Sequence, residues 1–371
     1  MAGNRSRPGA PSEKMTVAVD PRVELLAVVL KLSGYGELHP GRINEEPSPY
    51  LAAVDRRFGQ YAQHEAVRYF RTANRAIAGD LPVHLVLHLS EPPGLALRTP
   101  FPPALVARAG GPSALKPYVE ALRAFARDTA FADFFRSQRP SHAASAAAPR
   151  KTMRLARLVR TLESYFGVRQ RGYHVVLAPL LKTVAFGPRV AWKNGELETY
   201  CVFPAAGVRN DRIRFREGAP ARSLLLHEFS HSFVNPLVAE RRRQIDESAS
   251  LMRRIRYKTG ATYGAEWEIC VCEHIVRAVT TRLAALDGGE QQARHERRLH
   301  ERQGFIFLRD VCARLEEYEK NRDLYPSFKD FLPELLDVFK QASQFPAPRA
   351  LGRFSRQRQI RLGRYTLCRN E

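Results

Sequence analysis

The stretch Leu224-Leu225-Leu226-His227-Glu228-Phe229-Ser230-His231-Ser232-Phe233-Val234 constrains this chain more than any other. Read as a helix it is apolar on nearly every side, and a helix of that kind has to be buried. Yet it carries two imidazoles and a carboxylate. Four residues advance a helix by about 400°, so His227 and His231 share a face with Cβ atoms roughly 5–6 Å apart. Buried without partners, three such groups are costly. Two imidazoles at this spacing can close on one zinc ion, and the acid beside the first points toward metal-bound water. On this reading His227 and His231 are metal ligands and Glu228 is a general base. A metal lowers the pKa of its water from about 16 to about 7, within reach of a neutral-pH carboxylate. The alternative is an internal helix whose histidines only hydrogen-bond.

A catalytic zinc needs a third protein ligand and an open position. No third histidine follows at the H-E-x-x-H-x-x-G-x-x-H spacing, because the chain runs into Asn235-Pro236, which is expected to end the helix. A carboxylate from a later helix is expected instead. Glu273, in the apolar run Cys272-Glu273-His274-Ile275-Val276-Arg277-Ala278, leads, with Glu268 and Glu247 behind it. Arg277, one turn further, is placed to hold that carboxylate or a developing oxyanion. A surface salt bridge is its other reading. Tyr263 and Tyr325 are phenols that might otherwise only pack, and either is a candidate for stabilising a tetrahedral intermediate. His84 and His88 form a second same-face pair, but without a neighbouring acid they read as structural. Cys270 and Cys272, two apart on a helix, point in different directions and suit a core.

The balance of 59 basic against 38 acidic residues, a net charge of +21, invites a nucleic-acid or anionic-surface reading. But 49 of the basic residues are arginines scattered over the whole length beside Ala and Pro. No nucleic-acid module or aromatic-basic cluster accompanies them, so a solvated surface accounts for most. Local concentrations remain at Arg241-Arg242-Arg243, from Arg294 to Arg302, and in the tail after Pro346, where seven arginines face Glu371. The 44% hydrophobic content marks a folded protein, and 371 residues suffice for one large domain or two packed lobes. The five cysteines are scattered without a C-x-x-C pair, which argues against a disulfide scaffold. No run approaches the roughly 18–20 apolar residues that span a bilayer. Val23–Leu32 contains Glu24 and Lys31, which a signal-peptide core tolerates poorly, so the expected compartment is the cytoplasm with no membrane partner.

Periodicity divides the chain into a disordered lead over residues 1–17, a helical lobe to about 150 and a second lobe from about 151. Helices are expected at 22–32, 50–58, 63–78, 114–127, 130–136 and 152–166. The small-residue segment 137–150 reads as a linker or surface loop. Strands are expected at 173–177, 183–192 and 198–203, the last two forming a hairpin around Lys193-Asn194-Gly195. Helices then dominate: 221–234, a charged one at 237–256, an apolar one at 265–286, then 305–320 and 327–341. The expected class is α+β, mainly helical, with a small sheet beside the His227 helix.

The run from His227 to Pro236 resembles an uncharacterised bacterial family of unknown function regarded as zincin-type, gluzincin-like metallopeptidases. Asp20-Pro21-Arg22-Val23-Glu24-Leu25-Leu26, Gly34-Tyr35, Gly304-Phe305-Ile306-Phe307, Tyr318, Asn321, Arg322 and Tyr325-Pro326 agree in order. Cys272 departs from the pattern, where the family leads one to expect Asn. The resemblance covers residues 18–342 and implies one integrated zincin-like domain, followed by a basic tail over 343–371. It implies Zn2+ held by His227, His231 and Glu273, with the sheet as roof of a cleft and the His227 helix as its floor. In such a cleft an edge strand at 183–192 would pair with an extended peptide. The leading expectation is a zinc metallopeptidase acting on a peptide or protein substrate, with Glu228 activating the zinc-bound water. Its rivals are a zinc hydrolase of a non-peptide amide or ester, and a basic nucleic-acid-binding protein with a structural zinc.

Overall fold

The computed structural model describes residues 14–182, 185–255 and 266–344, and these are mostly helical with small sheets, the α+β class expected. Two compact units emerge: Met1–Ser164 with Val168–Phe229, and Tyr165–Gly167 with Ser230–Glu371. The division therefore falls inside the motif helix rather than near residue 151. Its cause is local. Segment 137–150, read as a linker, lies largely in a helix, Arg139–Thr152, whose Arg150 Nε donates to the Val17 carbonyl at 2.8 Å. Small side chains let this helix lie close to the sheet, so the N-terminal helices and the sheet share one core.

In the first unit, strands β1 (Lys14–Val19), β2 (Gly172–Lys182), β4 (Leu197–Ala205) and β3 (Arg189–Ala191) form a sheet in the order β1-β2-β4-β3. The first three run parallel, with Val17 opposite Val175 and Val175 opposite Cys201. β3 returns antiparallel to β4, as the hairpin expectation required. β1 begins at Lys14, within the stretch read as a disordered lead. β2 is buried along almost its whole length, the pattern of a parallel strand covered on both faces.

Helix Pro21–Leu32 is capped by the Asp20 carboxylate, which accepts from the Arg22 and Val23 amides, and its residues from Arg22 to Leu30 are all buried. The chain's apolar character there explains the burial, at the expense of enclosing Glu24. The Tyr50 hydroxyl donates to Glu24 Oε1 at 2.6 Å.

In the second unit helix Trp267–Arg302 contains a break at Gly289, whose φ of 79° and ψ of 172° are non-helical and suit a residue without Cβ. Helices Leu308–Lys320 and Phe328–Gln344 follow. Arg282 links to Glu316 at 2.6 Å and to Glu319 at 2.7 Å. The charged helix expected at 237–256 is instead three short pieces, Arg242–Asp246, Ala249–Leu251 and Met252–Ile255. Ser248 breaks it by bonding the Ile245 carbonyl, and Trp267 Nε1 donates to both. No helix among the described residues is long and apolar enough to cross a membrane.

Burial pushes the Glu24 carboxyl up to about 8 from its ordinary 4.5. Between those values the folded chain keeps a proton that the unfolded chain releases, so this group's contribution to stability is full below about 4.5 and is lost as pH rises through about 8. Glu24→Gln keeps an acceptor for Tyr50 and cannot ionise. Its melting temperature should fall less than the wild type's between about pH 5 and pH 9. Parallel declines in the two proteins would contradict this assignment.

Candidate metal centre

Helix Gly218–Glu240 carries the motif and runs on through Pro236, beyond the expected stop at Asn235-Pro236. Proline removes one helical N–H, but packing outweighs that loss here. Phe233 stacks on Phe166 with centroids 4.3 Å apart, and Val234 and Val238 are fully buried. The continuation places Asn235 one turn past His231, on the same face. His231 Nδ1 lies 3.1 Å from Asn235 Oδ1. An amide oxygen only accepts, so Nδ1 carries the proton and Nε2 presents a lone pair.

That lone pair faces Glu273 Oε1 at 3.5 Å, with both side chains almost wholly buried. Two acceptors so placed need a proton or a cation between them. Ligands each about 2.1 Å from a tetrahedral zinc stand about 3.4 Å apart, so the spacing fits. With His227, one turn before His231, the three side chains offer ligand atoms all within 4.8 Å of one another. Among the described residues no other group of three or more His, Cys, Asp or Glu side chains meets that condition. These residues could hold a metal ion.

The other candidates separate clearly. Glu268 pairs with Arg242 at 2.9 Å and Glu247 with Lys340 at 3.0 Å, so neither reaches the group. Arg277 is not a surface ion pair: only 4% of its side chain is exposed, and its Nη2 lies 3.4 Å from Glu273 Oε2. One oxygen of Glu273 thus meets Arg277 while the other meets His231. Tyr263 lies outside the described residues. Tyr325 packs edge-on against Phe331. His84 meets Asp80 at 3.4 Å and His88 meets Thr99 at 3.0 Å, and burial lowers both imidazoles to about 4, so this pair is structural. His274, next to Glu273, turns to the Cys270 carbonyl at 2.7 Å and is likewise lowered to about 4 by burial.

Glu228 is 3% exposed and lies under the chain segment before β3. Phe186 and Val202 exchange both backbone bonds, at 3.4 and 2.9 Å, and the Tyr200 amide donates to the Pro188 carbonyl at 2.9 Å. The residue between, Gly187, therefore turns its N–H and C=O away from β4, toward the sheet's edge. A Cβ at Gly187 would stand 2.4 Å from the Glu228 carbonyl oxygen and 3.2 Å from Oε2. Only glycine permits this approach. Across the pair Cys201 lies beside the same carboxylate. Burial first, and then the Glu228 charge, hold its thiol well above the usual range. In the same way burial and Glu273 push Cys270 up to about 12.

Asn235 and Gly187 were not singled out from sequence. The i to i+4 spacing from His231 would have found Asn235 had Pro236 not been read as a stop, and a glycine amid β-branched residues was the available sign of a close approach.

Purified protein should bind a divalent transition metal, measured by elemental analysis. His231→Ala and Glu273→Ala should lose it, Glu268→Ala and Glu247→Ala should keep it, and Asn235→Ala should bind about 10- to 100-fold more weakly. Full occupancy in both of the first two variants would sink the ligand assignment. Gly187→Ala should cost about 1–3 kcal/mol in chemical denaturation, since the backbone at Glu228 has to move.

No curated protein and no solved structure matches this chain. Over residues 15–338 it matches the family model described as Domain of unknown function (DUF4932), and the chain belongs to that family.

Proposed function

We propose that this protein is a zinc-dependent peptidase, in which His227, His231 and Glu273 would hold the cation and Glu228 handles the proton. The observation that carries the reading is the juxtaposition of Glu228 with the Gly187 backbone, one residue along the helix from His227. Zn2+ bound there would supply Lewis acidity toward a carbonyl oxygen and toward water.

The chain's own groups do the rest. Glu228 accepts a proton from the attacking water and returns it to the departing amine, as a carboxylate base and then acid. Its burial excludes bulk water, which strengthens the electrostatic interactions made there. Asn235 holds His231 with Nε2 toward Glu273, and Arg277 holds the far oxygen of Glu273. The outward N–H and C=O of Gly187 suit the backbone of an extended peptide, which adds as a strand at the edge and brings an amide beside Glu228. An ester or small amide would make no use of that edge, and this favours a peptide substrate.

The test is cleavage of a mixed peptide library by metal-loaded protein. Wild type should cleave. Glu228→Gln should keep its metal and lose activity by about 10²–10⁴-fold. A metal-loaded wild type inert toward peptides but active on small esters or amides would shift the substrate class, and equal activity in Glu228→Gln would remove Glu228 from the chemistry.

A further inference from the structure

We propose that His300 is a positioning residue for the metal centre: by occupying one arm of the Arg277 guanidinium it leaves Arg277 a single arm for Glu273, and so keeps one oxygen of Glu273 available to a cation. The proposal rests on the ligand set given above.

Arg277 and His300 are 23 residues apart on what is formally one helix. A continuous helix would separate them by about 35 Å. Instead Arg277 Nη1 stands 3.0 Å from His300 Nδ1, so the break at Gly289 reverses the chain and lays the second arm back along the first. The guanidinium then has three neighbours. Nη2 meets Glu273 Oε2 at 3.4 Å, Nη1 meets His300, and the Phe305 ring lies flat against it with its centroid 4.1 Å from Cζ.

A guanidinium only donates, so His300 Nδ1 is the acceptor and the ring proton sits on Nε2. Gln303 Oε1 lies 3.3 Å from the same nitrogen, a longer approach that must yield its place or turn its amide group over. Burial first, and then the Arg277 charge, hold the imidazole down to about 4, so it stays a neutral acceptor at physiological pH.

The geometry explains why this matters to a cation. An arginine beside a carboxylate tends to engage both oxygens at once through its forked donors. Were Arg277 to do so, Glu273 Oε1 would turn toward the guanidinium and away from His231 Nε2. With Nη1 committed to His300 and the plane fixed on Phe305, only Nη2 reaches Glu273. Oε1 keeps its place 3.5 Å from His231.

The experiment compares wild type, His300→Gln and His300→Leu, two replacements that fill the space but of which only glutamine can accept from Arg277. Zn2+ affinity is measured by chelator competition and geometry by the visible spectrum of the Co2+ form. His300→Leu should bind Zn2+ about 10- to 100-fold more weakly with an altered cobalt spectrum, and His300→Gln should recover most of the affinity and the wild-type spectrum. A Leu variant indistinguishable from wild type, or Gln and Leu variants equally impaired, overturns the proposal. In wild-type protein the ¹⁵N shifts of His300 should show Nδ1 unprotonated, and a protonated Nδ1 overturns it whether or not the variants fold. A wild type that binds no Zn2+ would instead refute the underlying ligand set, which separates the two failures.

Discussion

The centre depends on one unfavourable contact, the lone pair of His231 Nε2 facing the oxygen of Glu273 at 3.5 Å, away from water. Left alone, such a pair would rotate apart. Each partner is held from behind: Asn235 fixes the imidazole through Nδ1, and Arg277 fixes the carboxylate through Oε2. A buried polar arrangement that strains against itself while being braced on both sides is what a bound cation resolves, because the cation supplies the charge both groups lack.

The surrounding fold is what makes the bracing possible. The motif helix is apolar on most faces, so it has to be enclosed, and its enclosure fixes the rotamers of its polar residues. Gly187 and Cys201 leave room for the backbone at Glu228 to lie against the sheet, where any larger residue at position 187 would strike the helix. In the second unit, the reversal at Gly289 folds one long helical stretch on itself, which lets two residues far apart in the chain share a guanidinium.

The arginine excess reads differently once side chains are placed. Arg242, Arg277, Arg282 and Arg314 each meet carboxylates, and Arg22 and Arg322 donate to backbone carbonyls. Many of these guanidinium groups act as local fasteners, a use that suits five fixed donors and an apolar, stackable plane. The arginines of the tail lie outside the described residues.

Part of this protein was legible before folding. The i to i+4 pair His227 and His231 with Glu228 between them needs only helical geometry, and the odd acid in the apolar run around Glu273 betrayed itself by composition. The α+β class and the β3–β4 hairpin followed from periodicity and turn residues. These are short-range properties, determined within a few residues of chain. The supports were not legible. Asn235 depended on a helix surviving Pro236, which packing of Phe233 and Val238 decided. The three-piece break at 242–255 depended on Ser248 and Trp267 bonding the same carbonyl. Gly187 over Glu228, and His300 on Arg277, join residues distant in the chain. No local pattern encodes such meetings, because they exist only once buried apolar surface has brought separate segments together and fixed what each polar group must face.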